Sequence, residues 1–185
     1  MPTNEKNHIE TDNSPRRGRR VLFVCLGNIC RSPAAEGVMR ALIDQNGESA
    51  LWEIDSAGTG GWHVGQLPDQ RMRLHARRRG LELTHHCRQV READFSHFDW
   101  IVGMDSQNIA DLRALAPTPA DERKILPMGR FLDPQTGYDH VPDPYYEGSE
   151  GFELVLDLLR EGCARLRRFI ETKASTAAAE GCDAR

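Results

Sequence analysis

Cys25 and Arg31 stand six positions apart on a loop between an apolar strand, Val21-Leu22-Phe23-Val24, and a helical segment. A thiol and a guanidinium at that spacing describe an oxyanion site with a nucleophile at its floor. If the backbone between them curls, its N–H groups point at one centre, and the N-terminus of the next helix adds partial positive charge there. Such a centre suits a tetrahedral dianion, and Arg31 offers a planar fork for two of its oxygens that lysine lacks. The same field favours a thiolate over a thiol at Cys25. The chemistry indicated is phosphoryl transfer through a cysteine. Gly27 lets the backbone approach a ligand, and Asn28 tolerates the left-handed turn that a tight loop needs. Ser32 is placed to donate to the Cys25 sulfur, and Pro33 suits a first helical position.

The full string Val24-Cys25-Leu26-Gly27-Asn28-Ile29-Cys30-Arg31-Ser32-Pro33 resembles the signature of the low-molecular-weight protein tyrosine phosphatases. The similarity continues through Asp55-Ser56-Ala57-Gly58-Thr59, Trp62-His63-Val64-Gly65, Met104-Asp105 and Asp143-Pro144-Tyr145-Tyr146, covering roughly 20–172. It implies a metal-free, cofactor-free phosphatase in which Cys25 attacks phosphorus, forms a phosphocysteine and releases it to water. Expelling a phenol whose pKa is about 10 calls for a proton in the transition state. Asp143, in the stiff Val141-Pro142-Asp143-Pro144 turn, is the expected acid and then the base toward water. By the same resemblance Leu26, Gly27, Asn28, Ile29, Cys30 and Ser32 bind the phosphate, while Trp62, Tyr145 and Tyr146 wall an aromatic slot that an aryl phosphate reaches. The expected substrate is a phosphotyrosine protein or a small aryl phosphate. The tyrosine pair is read either as pocket aromatics or as a site for a kinase.

The elements needed to hold these residues are legible. Apolar spacing predicts helices over 34–44, 70–79, 106–115 and 151–172, and strands over 21–24, 51–56, 98–104 and 124–128. Asp105 is an expected N-cap. The second strand would deliver Ser56 to brace Asn28. Strands alternating with helices predict a single α/β domain over 20–172: a central four-stranded parallel sheet with helices on both faces, and the phosphate-binding loop after the first strand. The polar, basic stretch 1–19 is expected to be a disordered arm, and 173–185 a flexible tail.

A chain of 185 residues, 39% hydrophobic and 28% charged, is an ordinary composition for one modest domain. No apolar run reaches a membrane span, and the start is too polar for a signal peptide. A net charge of −4 argues against nucleic acid as partner. Cys25, Cys30, Cys87, Cys163 and Cys182 are scattered and odd in number, which points to a reducing, cytoplasmic setting. Oligomeric state stays open, monomer or weak dimer.

Other features carry alternatives. Cys30 is either a partner for a protective disulfide with Cys25 or a small residue that lets the loop pack. Cys87 beside His85 and His86 lacks further ligands at metal-binding spacing. Arg71, Arg73, Arg77, Arg78, Arg79, Arg88 and Arg91 form either a surface for acidic phosphopeptides or a solvated face. His63 is read as a loop residue. Arg79 stands where some members of the family carry a histidine tied to the loop network, which leaves the support of Ser56 and Asn28 open. The same fold also serves thiol-dependent arsenate reductases, but Cys87 has no second cysteine nearby for their relay. A non-catalytic phosphotyrosine-binding module would need neither thiolate nor acid.

Overall fold

In the computed structural model, which describes residues 18–182 and their side chains to 176, four strands form one parallel sheet. They are β1 (Arg20–Cys25), β2 (Glu53–Gly58), β3 (Trp100–Gly103) and β4 (Ile125–Pro127), in the order β2-β1-β3-β4. Residues 21–25 of β1 are all buried, because the strand is covered on both faces and so reads as an uninterrupted apolar run. Val21 and Phe23 enter one core, against α1 (Arg31–Gln45) and α6 (Ser149–Cys182). Leu22 and Val24 enter the other, with Phe95 of α3 (Glu92–His97) and Ile109 and Leu112 of α4 (Ser106–Leu115). The expected architecture is therefore present, with helices on both faces of a four-stranded parallel sheet.

Helix boundaries differ from expectation in instructive ways. The first helix begins at Arg31, so Pro33 occupies its third position and not its first. It is tolerated there because the N–H groups of a first turn have no partner within the helix. Two short helices, α3 and α5 (Pro119–Glu122), have too few turns to leave a periodic signal. The last helix runs past Thr172 to Cys182, where expectation had a flexible tail; Ala174, Ala177, Ala178 and Ala179 are strong helix formers. Of the basic arm, residues 1–17 lie outside the described residues. Gly18 and Arg19 do not hang free: the Trp100 indole donates to the Gly18 carbonyl at 3.0 Å, and Arg19 lies over Trp52.

The helix α2 (Gln70–Arg78) is fastened to α6 by a polar cluster. Buried His75 stacks on Phe152 and donates to Glu153 at 2.5 Å, and Arg79 reaches both Glu153 and, at 2.7 Å, Asp157. The His75 hydrogen bond, followed by Arg79, holds the Glu153 carboxyl below its ordinary value near 4.5. A depressed carboxyl stabilises the fold in full above its ordinary value, and the contribution is lost as pH falls through the folded one. Glu153→Gln should therefore cost about 1 kcal/mol at neutral pH, limited by solvent screening, and little in acid below the folded value. Thermal melts of both forms at the two pH values check this; an equal difference at both would contradict it.

Candidate active site

The loops leaving β1 and β3 part toward opposite faces of the sheet and open a crevice at its carboxyl edge, where such sheets bind ligands. Cys25 ends β1 on the floor of this crevice. The loop after it is held by its carbonyls: Thr59 N donates to Cys25 O at 2.9 Å, Gly60 N to Leu26 O at 2.8 Å, Asp69 N to Ile29 O at 2.8 Å, and the Cys87 thiol to Asn28 O at 2.9 Å. Among the described residues the N–H groups of 26–30 meet no acceptor of the protein. Carbonyls turned out and N–H groups left over make an anion-binding nest. Gly58 permits this packing, since a Cβ there would stand 2.8 Å from Leu26 O and 3.0 Å from Asn28 N.

Asn28 takes the left-handed conformation, with φ of 56°. Its side chain is buried and does not face the cavity. Its amide donates to Ser32 Oγ at 2.9 Å and Ser56 Oγ at 3.0 Å, while its carbonyl oxygen accepts from Arg88 N at 2.9 Å and pairs with His85 Nε2 at 3.0 Å. Ser56 thus braces Asn28 as expected. Ser32 is buried too, 3.1 Å from the Cys25 sulfur, with its hydroxyl also near Ala57 O at 3.2 Å. Asn28 and Ser32 shape the cradle from behind.

Arg79 belongs to the α2–α6 cluster, and the histidine tied to the loop is His85. Ser56 donates in turn to Glu36 at 2.7 Å, and Arg88 binds Asp55 and Asp94. Sequence reading missed Glu36 and His85. The one available signal for Glu36 was an acid four residues after Ser32, hence on the same helix face, turned toward the core. The ligand atoms of Glu36, Asp55 and His85 lie within 4.8 Å of one another, but each already serves a hydrogen bond: Glu36 to Ser56, Asp55 to Arg88, His85 to Asn28. Cys87 and His85 likewise each bind Asn28, by its backbone carbonyl and its side chain respectively.

Arg31 is 3% exposed and crosses the crevice. Its Nη1 donates to Asp105 Oδ2 at 2.5 Å and Val141 O at 3.2 Å, and its Nη2 to Asp143 Oδ2 at 3.2 Å. Burial works against its charge, but the Cys25 sulfur, Asp105 and Asp143 outweigh that, so the fork stays firmly cationic. Asp143 accepts at its other oxygen from Tyr145 N, at 3.2 Å. A cavity of about 250 Å³ is lined by Cys25, Leu26, Gly27, Ile29, Cys30, Arg31, Trp62, His63, Asp143, Tyr145 and Tyr146. Trp62 and Tyr146, at 70% and 93% exposed, stand as walls at its mouth.

A family model described as low molecular weight phosphotyrosine protein phosphatase matches residues 20–176. The chain belongs to that family. A low molecular weight protein-tyrosine-phosphatase of Streptomyces coelicolor is 42% identical over 161 residues, covering 84% of this chain and 98% of the relative. The human low molecular weight phosphotyrosine protein phosphatase is 40% identical over 154 residues, covering 83% and 94%. A crystal structure of a protein tyrosine phosphatase from Entamoeba histolytica with Hepes in its active site superposes with a TM-score of 0.81 at 40% identity, covering 84% of this chain and 99% of that one.

In this phosphatase the thiols near the cradle are unequal. Burial, then Asp69, drives the Cys30 thiol far above its ordinary range, and burial pushes Cys87 up to about 11. Both therefore stay protonated at neutral pH, whereas Cys25 faces the nest. Of Cys25, Cys30 and Cys87, iodoacetamide at pH 7 should alkylate Cys25 fastest, in a reaction slowed by inorganic phosphate and missing in Cys25→Ser. Peptide mapping that found Cys30 or Cys87 alkylated as fast would contradict the inequality.

Four of the seven arginines between 71 and 91 are held in ion pairs. Arg71 pairs with Asp69, Arg77 with Glu82, Arg79 with Glu153, and Arg88 with Asp55 and Asp94.

Proposed function

We propose that Cys25 is the nucleophile, Arg31 the phosphate clamp, and Asp143 the general acid and then base, acting on phosphotyrosine or another aryl phosphate monoester. The observation that carries this is the meeting of the three residues around one cavity floored by a nest of N–H groups. The Cys25 sulfur attacks phosphorus as the P–O bond to the phenol breaks, and Asp143 gives the departing oxygen its proton. The phosphocysteine is then opened by water, whose proton passes to Asp143 as the S–P bond breaks and phosphate leaves. Arg31 and the N–H groups hold the equatorial oxygens in both steps. Ser32, 3.1 Å from the sulfur, steadies the thiolate that leaves in the second.

Specificity follows from depth. Cys25 is buried beneath the ring walls of Trp62, Tyr145 and Tyr146, so a flat aryl group reaches it and stacks, while a short alkyl phosphate holds its peptide backbone against the rim. The arsenate-reductase relay finds no support: Cys87 is buried and bound to Asn28 O, and Cys163 is buried with its thiol toward Ala35 O of α1. The chemistry needs a compartment that keeps Cys25 reduced, which favours the cytoplasm.

In EDTA and reductant, a phosphotyrosine peptide should be hydrolysed with a kcat/KM at least ~100-fold above that for the matching phosphoserine peptide. EDTA should not slow it and vanadate should compete with it. Equal rates on the two peptides would overturn the assignment of an aryl substrate.

A further inference from the structure

Arg71 lies outside the cavity, on the first turn of α2, yet it touches both the base of the phosphate loop and the acid loop. Its fork closes on Asp69 through two hydrogen bonds, Nε to Oδ1 at 3.1 Å and Nη2 to Oδ2 at 2.8 Å. Asp69 is itself fixed to the phosphate loop by its N–H on Ile29 O, and it caps α2 by accepting from Arg71 N at 2.8 Å. The remaining nitrogen, Nη1, donates to the Tyr145 carbonyl at 3.1 Å. The guanidinium carbon also lies 5.3 Å from the Tyr145 ring centre and 4.9 Å from that of Phe152 in α6. Tyr145 N in turn donates to Asp143. An unbroken chain of contacts thus runs from Ile29 through Asp69, Arg71 and Tyr145 to Asp143.

We propose that Arg71 is a positioning residue that sets the acid loop against the phosphate loop, so that Asp143 meets the leaving oxygen of a substrate held by Cys25 and Arg31. The proposal rests on the reading of Asp143 as general acid. The geometry calls for an arginine, since one side chain must grip a carboxylate with two donors, a carbonyl with a third, and rest against two rings. Lysine meets at most part of that demand. An exposed arginine–carboxylate pair adds little to stability, so the fold survives its loss while the acid loop gains freedom.

A misplaced acid has a distinctive signature. It slows esters of weakly acidic phenols, which cannot leave without a proton, and spares those of acidic phenols, which can. The test is kcat/KM over a series of aryl phosphates from p-nitrophenyl to phenyl, which reports the step that expels the phenol. Arg71→Ala should lose ~10-fold on phenyl phosphate and phosphotyrosine but less than ~2-fold on p-nitrophenyl phosphate. Arg71→Lys should fall between it and the parent, and Asp69→Asn should move the same way. Asp143→Ala should steepen the dependence further, and Arg77→Ala, whose partner Glu82 lies on the surface, should change nothing. If Arg71→Ala lowers all esters equally, or none, the positioning role is wrong. If Asp143→Ala steepens the dependence and Arg71→Ala does not, this proposal alone falls; if Asp143→Ala itself leaves it flat, the acid assignment falls and takes this proposal with it.

Discussion

Cys25→Ser should lower turnover ~10⁴-fold or more, to the limit of detection, with the fold intact. The exchange changes one atom in a buried site, so packing is nearly preserved. What is lost is the nucleophile, because a serine hydroxyl is a far weaker attacker of phosphorus than sulfur. Ser32, 3.1 Å from the sulfur, then hydrogen-bonds to a neutral oxygen and steadies no charge. The nest and Arg31 remain, so the variant should still bind inorganic phosphate or vanadate in calorimetry. Acid quench during turnover should trap a phosphorylated enzyme with the parent and none with the variant. Retained turnover would place the attacking group elsewhere.

Arg31→Lys should cost ~10² to 10³-fold in kcat/KM even though the charge is kept. The guanidinium is aimed by three partners at once, Asp105 at 2.5 Å, and Val141 O and Asp143 each at 3.2 Å. An ammonium offers no pair of coplanar donors, so it cannot keep those ties and grip two phosphate oxygens as well. The loss should be the same for every leaving group, because the clamp acts on the equatorial oxygens and not on the departing one. That uniformity separates it from variants that disturb the acid. A loss confined to poor leaving groups would show that Arg31 serves Asp143 and not the phosphate.

Sequence reading succeeded where the determinants are local. The string from Val24 to Pro33 carries its own strand, turn and helix start. The helix Ser106–Leu115 appears at its expected bounds because an N-cap and an apolar period mark it, and Asp105 does accept from Asn108 N at 2.8 Å. What escaped is tertiary. His85 lies 57 positions from Asn28, and Glu36 lies 20 from Ser56, so nothing in their neighbourhoods announces either contact. Arg79, where some members of the family carry a histidine, caps α2 close to the segment that carries His85, and so left the support of Ser56 and Asn28 open. Its partners on α6 become visible only once that helix is packed. The overrun of α6 to Cys182 has a simpler origin, as alanines propagate a helix without any tertiary contact.

The position of Asn28 has a consequence for what natural variation can explore. Its left-handed angle excludes branched and bulky side chains, while its four side-chain partners require one carbonyl and one amide on the same short stem. Glycine would accept the angle and forfeit all four; aspartate would satisfy His85 and Arg88 and leave both serines without a donor. The side-chain amide of Asn28 therefore joins the four bonds to the loop's carbonyls in setting the curvature of the cradle, and an exchange there should be felt at every phosphate contact.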